Sequence, residues 1–295
     1  MPRRDSLLAF AGLAYGASLL DDAAAAAPPA APARAAYTPP GLQRDLPPEA
    51  GTLPPAVIAA RLPFDLQTAA GRRLARLKTI GNLVGRRNYM AFFTRHIWCA
   101  PGQPAVPLLN EIELMTTFLE RSAAGVDAAV LQRIIVTRVP LDARTLTPVA
   151  SVVLPGGPRI ALVDTLFAMT LPLDLGDDAK PDAVLQHDQP HFAFGADTAF
   201  TMFDPRAGAG SHQPRVDMSI WRAKTAELMD PARDPIRAEY GFSAIMRANV
   251  FGWTELKDDD ATQVLRQKIG FKTHALDELP DSVKRYILDV YPNRA

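Results

Sequence analysis

Side chains alternate weakly along Asn88–Cys99. Met90, Phe92, Thr94, His96 and Trp98 share one side of an extended chain, and Tyr89, Ala91, Phe93, Arg95, Ile97 and Cys99 the other. Both sides are largely apolar, which predicts a strand covered on both faces. PGQPAVP (101–107) turns the chain and Leu108–Glu120 returns as a second strand. Gln132–Leu141 is β-branched and strand-like. Val149–Leu154 and Arg159–Leu173 flank the turn signal PGGP (155–158). Asp174–Gln189 reads as a polar loop, His191–Phe203 as strand, turn, strand, and 204–214 as a flexible loop. Arg215–Leu228 starts as strand and ends as helix; Tyr240–Leu256 is a strand pair or one bent strand; an acidic turn precedes the last strand, Val264–Thr273.

Two segments carry helical spacing instead. In Phe64–Lys78, Leu66, Ala70, Leu74 and Leu77 fall on one side while Arg72, Arg73 and Arg76 form a solvated face. In the segment 277–292, Pro280 marks the start, Asp281 or Ser282 the cap, and Val283, Ile287 and Val290 an apolar stripe. Many strands, short connections and few helices predict a mainly β protein. The expected form is a curled antiparallel sheet or barrel, lipocalin-like in outline, with a C-terminal helix and a short N-terminal helix.

The N-terminal part breaks this pattern. Arg3-Arg4 precedes an apolar run, Ser6–Leu20, and a small-residue stretch follows it to Ala36. This layout predicts an export signal over 1–36. The run is shorter than the ~20 apolar residues of a transmembrane helix, so no stable membrane span is expected after processing. The arginine pair resembles a twin-arginine signal, although Ser6 stands where Phe is common. That resemblance implies the twin-arginine export machinery as a partner and a periplasmic or secreted location; an ordinary secretory signal is the alternative. Residues 37–63 form a Pro-rich linker, which blocks helix and sheet ladders alike. The remainder, 64–295, is expected to be one β-rich domain.

Composition narrows the function classes. The 295 residues are 48% apolar and 22% charged, ordinary for a domain with a sizeable core. Lys plus Arg is 32 and Asp plus Glu is 32, so zero net charge gives no argument for nucleic acid or an anionic membrane. Cys99 is the only cysteine, so no intrachain disulfide forms. Signatures for phosphate loops, nucleophile elbows, dinucleotide binding and zinc proteases are missing, and no cofactor is expected.

Three pieces of the chain resemble a known family. KTIGNLVGRRNYMAFFTRHIWCAPGQPAVPLL (78–109) holds a Gly-x-Leu-x-Gly-Arg turn, an aromatic strand and a Pro-Gly-x-Pro turn. FGWTELKDDD (251–260) carries Trp253. QKIGFKTHALDELPDSVKRYILDVYP (267–292) runs from a Gly-x-Lys strand end through Leu-Asp-Glu-Leu-Pro to a helix closing on Tyr-Pro. Together they resemble the domain-of-unknown-function 1838 family of exported bacterial proteins, over most of 78–292. Phe92, Phe93 and Trp98 stand where that family has tandem Trp and Tyr. The resemblance implies fold and address, and carries no activity.

The candidate chemistry gathers on few residues. Glu111 and Glu113 are two apart, so on a strand they share one face about 7 Å apart. Either both face water, or they are enclosed and one acquires a raised pKa suited to general acid or base work. Arg95 and His96 point to opposite faces. An inward Arg95 would pair with Glu111 or Glu113 across the hairpin, and His96 would suit proton transfer. His187 and His191 have a metal-like spacing, but Pro190 breaks the helix that would align them, so no metal site is expected. His191 fits better as a pocket hydrogen-bonding residue. Asp164 and Arg138 are lone charges in apolar strands, to be paired with each other or, for Arg138, with a ligand carboxylate. Trp98, Trp221, Arg222 and Trp253 offer flat surface for a ring-shaped ligand or plain core.

Two function classes follow. One is a cofactor-free acid–base enzyme (isomerase, lyase or hydrolase type) acting on a small apolar or cyclic metabolite. It would use Glu111, Glu113, His96 and His191, with Arg95 or Arg138 on an anionic group. The other is a non-catalytic periplasmic carrier in which the same residues only orient the ligand. A structural envelope protein with no ligand is a third.

Overall fold

The computed structural model describes residues 36–37, 56–121, 130–172, 184–186, 191–203, 212–247 and 263–295. All of the expected export signal except Ala36, most of the linker, His187 and Trp253 lie outside the described residues. The strands are β1 (Ala36–Tyr37), β2 (Asn88–Cys99), β3 (Val106–Arg121), β4 (Val130–Leu141), β5 (Ser151–Val153), β6 (Arg159–Ala161), β7 (Asp164–Pro172), β8 (Val184–Gln186), β9 (His191–Phe203), β10 (His212–Lys224), β11 (Ala238–Arg247) and β12 (Gln263–Thr273). Helix α1 is Ala69–Ile80 and α2 is Thr225–Met229. Near the C-terminus α3 (Asp281–Val283) continues as a π-helical turn, Lys284–Leu288.

The protein is mainly β. Ten strands form one sheet in the order β1-β7-β4-β3-β2-β12-β11-β10-β9-β8, and β5 and β6 form a separate hairpin. Every pairing in the large sheet is antiparallel except β1 with β7. Among the described residues no pairing joins β1 to β8, so no closed barrel is present. No helix among them is long and apolar enough to cross a membrane.

Several sequence-based boundaries hold closely, β2 among them. His191–Phe203 is one continuous strand rather than two, because β10 pairs with it along its whole length. Arg159–Leu173 divides into β6 and β7, which belong to different sheets. Helix α1 starts at Ala69 rather than Phe64: the Thr68 hydroxyl accepts from Gly71 N–H at 3.1 Å and fixes the first turn there. Arg76 is buried rather than part of a solvated face. Pro280 occupies the cap position of α3 without a side-chain cap bond, and neither Asp281 nor Ser282 caps it.

The alternation in β2 divides two cores. On the back of the sheet, Tyr89, Ala91, Ile112, Leu114, Val139 and Leu141 pack under Leu279, Val283 and Ile287. Val290 is exposed instead of completing that stripe. The Asp289 N–H bonds back to the Lys284 carbonyl at 2.9 Å, a bond five residues long. That wider turn rotates Val290 off the apolar side. On the front, Trp98, Leu109, Ala244 and Val264 lie under Leu154, Ile160 and Leu162 of the β5–β6 hairpin. Leu119, Ala223 and Ala238 meet Ala75 and Leu77 of α1 at the opposite end. Two buried lysines tie this end together. Lys272 Nζ donates to the Lys78 carbonyl at 2.8 Å and to the Gly81 carbonyl, capping the C-terminus of α1. Lys78 Nζ donates to the Leu228 and Asp230 carbonyls, each at 2.9 Å, and does the same for α2.

Candidate functional site

Between these two front-face packings lies a cluster of charges. The strand register assembles it. Thr94 stands opposite Glu111 on β3 and Lys268 on β12; His96 stands opposite Arg266; Glu113 stands opposite Phe92 and Arg138. Because side chains alternate along each strand, all of these project from the front face. His96, Thr94, Glu111, Glu113, Arg266 and Lys268 are buried, while the Arg138 side chain is 26% exposed.

The contacts are specific. Glu111 Oε2 lies 2.8 Å from His96 Nε2 and 3.4 Å from Arg266 Nη2. Glu113 accepts from Lys268 Nζ with both oxygens, each at 2.9 Å, and from Arg138 Nε at 2.7 Å. Arg266 also approaches Glu113 Oε2 at 3.6 Å. Lys268 Nζ sits 4.6 Å from the centre of the Phe92 ring, and the Arg138 guanidinium 5.5 Å from that of Phe167. Gly270, between Phe92 and Tyr240 in the register, makes room for those rings to meet edge to face at 5.2 Å. A Cβ at Gly270 would lie 2.1 Å from the Ala91 carbonyl oxygen and 2.5 Å from Phe92 Cδ1.

Proton affinities follow from this crowding. Burial pushes Glu113 up, but Arg138, Lys268 and Arg266 outweigh it and bring the carboxyl down to about 2. Burial likewise raises Glu111; His96, Arg266 and Arg138 overcome it and hold the group well below the usual carboxylate range. Burial lowers Lys268 to about 7, because the nearby guanidiniums oppose the help of Glu113. The two halves of the Glu113–Lys268 pair therefore move differently: three cations share two carboxylates. Burial also lowers His96, against the pull of Glu111. The neutral ring donates its Nε2–H to Glu111, which orients the imidazole.

This arrangement corrects several expectations. Glu111 and Glu113 face the packed front of the sheet rather than water, and neither carboxyl is raised. Arg95 is exposed on the back and meets neither glutamate. Arg138 pairs with Glu113, not with Asp164, which is on the opposite face and accepts from the Tyr291 hydroxyl at 2.8 Å. His191 opens β9, four places along the sheet from β2, and stands opposite Lys224, away from the cluster. Trp98 is core beneath the β5–β6 hairpin. Trp221 is half-buried on the front and packs on Tyr240 at 4.6 Å, whereas Arg222 bonds to Glu239 at 2.8 Å at the surface. Among the described residues no group of three His, Cys, Asp or Glu side chains is placed to hold a metal.

Sequence reasoning missed Thr94, Arg266 and Lys268. The signal was present in RQKIGFK (266–272), where the cations Arg266, Lys268 and Lys272 all fall at even positions and so on one face of the strand. Its pairing with β2, more than 160 residues earlier in the chain, is what gives the signal meaning.

Chemically, the cluster can hold an anion, orient a polar group or, through His96, exchange a proton. No family model, no curated protein and no solved structure matches the chain.

Proposed function

We propose that the protein is an exported small-molecule binding or carrier protein whose front face receives a small, mainly apolar or cyclic metabolite. The observation that carries this reading is the aromatic row beside the charge cluster. Trp221, Tyr240 and Phe242 are half-buried, with ring centres 4.6 and 6.3 Å apart in sequence along the row. Phe242 stands directly opposite Lys268. Partly exposed rings bordering fixed polar groups are the usual lining of a ligand site. In this reading the sheet curls about its front face, lipocalin-like in outline. The close approach at Gly270 and the burial of β2 and β3 on both faces support that curvature. Export by the twin-arginine route to the periplasm or beyond belongs to the same proposal, on the strength of Arg3-Arg4 and the apolar run after them. So does kinship with the domain-of-unknown-function 1838 family, on its Gly-rich turn and C-terminal ending.

The carrier reading is preferred over catalysis because both carboxylates are held ionised by their neighbours, which makes them weak bases. The test is titration with N-phenylnaphthylamine, a neutral apolar fluorophore. Saturable binding, one fluorophore per chain, quenching Trp221, supports the reading. Unsaturable partition contradicts it.

A second reading rests on the 2.8 Å contact between His96 and Glu111. A carboxylate-oriented neutral imidazole is a competent general base. Incubation with extract of the source organism discriminates the two. Under the enzyme reading the wild type converts a metabolite that the His96→Gln variant leaves unchanged.

A further inference from the structure

We propose that the charge cluster seats the carboxylate of the ligand, through Arg138, Lys268 and the Thr94 hydroxyl, so that the cargo is an aromatic or cyclic monocarboxylate. This rests on the binding reading above and narrows it to a chemical class.

The first argument is charge. Arg138, Arg266 and Lys268 converge on Glu111 and Glu113, three cations on two carboxylates. With His96 neutral and Lys268 protonated, as an arriving anion would hold it, cations exceed carboxylates by one among these five side chains, an excess that a monoanion balances. The second argument is donor capacity. Arg138 engages Glu113 through Nε alone and makes no other hydrogen bond to the described residues. Its guanidinium has five N–H donors, and the side chain is 26% exposed. The outer edge of such a group matches a carboxylate with two parallel bonds. Lys268 uses two of its three N–H groups on Glu113. Glu113 thus acts as a positioning residue that fixes both cations.

The third argument is independent of charge. Thr94 is 0% exposed, and its hydroxyl has no hydrogen-bond partner among the described residues. A buried hydroxyl is normally bonded. This one projects from the same face as Lys268, directly opposite it. A carboxylate oxygen there would accept from both. Phe167 beneath Arg138 and Phe242 opposite Lys268 supply apolar walls on either side, which suits a ring bearing the acid.

The experiment compares benzoate with benzamide, its neutral near-isostere, by isothermal titration calorimetry on the full chain. Benzoate is expected to bind at least about tenfold more tightly, the scale of a hydrogen bond to a charged group. Arg138→Gln should remove that preference, weakening benzoate more than benzamide until the two bind alike. Thr94→Val should weaken benzoate severalfold without lowering the melting temperature of the ligand-free protein, since the isostere removes an unsatisfied hydroxyl. Circular dichroism checks that both variants fold, and Thr94→Val alone suffices if Arg138→Gln does not. Equal affinities for benzoate and benzamide, or benzoate binding untouched by Thr94→Val, overturn the inference. If N-phenylnaphthylamine still saturates in that case, the binding reading survives without the carboxylate; if it does not, both fall.

Discussion

Replacing Glu113 by Gln removes one charge from the centre of the cluster and almost no volume. Glu113 is 0% exposed and accepts from Lys268 twice, at 2.9 Å, and from Arg138 at 2.7 Å. Two routes give the magnitude. Deleting one member of a buried ion pair costs about 3–5 kcal/mol, because the partner is left buried and unpaired. The second route is proton linkage. The folded carboxyl titrates at about 2 against an ordinary 4.5, which corresponds to about 3 kcal/mol of stability at neutral pH. The two routes agree at about 3 kcal/mol. The sign is fixed: a carboxyl lowered on folding contributes fully above 4.5 and loses its contribution as pH falls through about 2. The difference between wild type and Glu113→Gln should therefore shrink from about 3 kcal/mol at pH 7 to about half of that at pH 3. Urea unfolding followed by circular dichroism at the two pH values measures it. A difference below about 1 kcal/mol at pH 7, the scale of an exposed pair, or one that stays constant with pH, would mean that Glu113 is not a buried, ion-paired carboxylate.

Other expectations follow from the same structure. Gly270→Ala should cost about 3 kcal/mol, the upper range of overpacking, because the added Cβ meets the Ala91 carbonyl at 2.1 Å and the Phe92 ring; denaturant midpoints report it. Ile287→Ala, at a 0% exposed position under the back face, should cost about 2–5 kcal/mol, whereas Val290→Ala, at 44% exposure, should stay within about 0.5 kcal/mol. Lys272 is lowered by burial to about 7 in the fold and has an ordinary value of 10.5. Between those values the unfolded chain holds more protons, so stability rises with pH. Melting scans at pH 7 and about pH 9 should show that rise, reduced in Lys272→Met. Changing Arg3-Arg4 to Lys-Lys should retain the protein in the cytoplasm on cell fractionation, and unchanged export would count against the twin-arginine route.

The sheet was legible wherever local patterning decides it. Asn88–Cys99 alternates only weakly, but it is rich in aromatic and apolar residues and the turn at 101–107 bounds it, so β2 emerges from residues alone. Even the doubt about His191–Phe203 had a local cause: Gly195 and Asp197 are turn formers, and only the full-length ladder with β10 overrides them. The site was half legible. Glu111 and Glu113 were found because their spacing places them on one face, and Arg138 because a lone charge among β-branched residues asks for a partner. Their orientation was not readable, since a polar pair on a strand suits water as well as a buried cluster. What decides it is β12, which brings Arg266 and Lys268 beside β2 from the far end of the chain. Sequence periodicity gives the face of each strand but not which strands are neighbours. The assignment of Asp164 to Arg138 failed for the same reason, as the two lie one register step apart and face opposite ways.

Native mass spectrometry of the protein purified from its own source organism shows whether the front face holds a ligand. The expected species is a complex heavier than the bare chain by one small organic molecule. Denaturation should release that molecule, and it should ionise as a monocarboxylic acid. The bare chain alone, with no saturable binding of N-phenylnaphthylamine or benzoate to the same sample, would contradict that expectation.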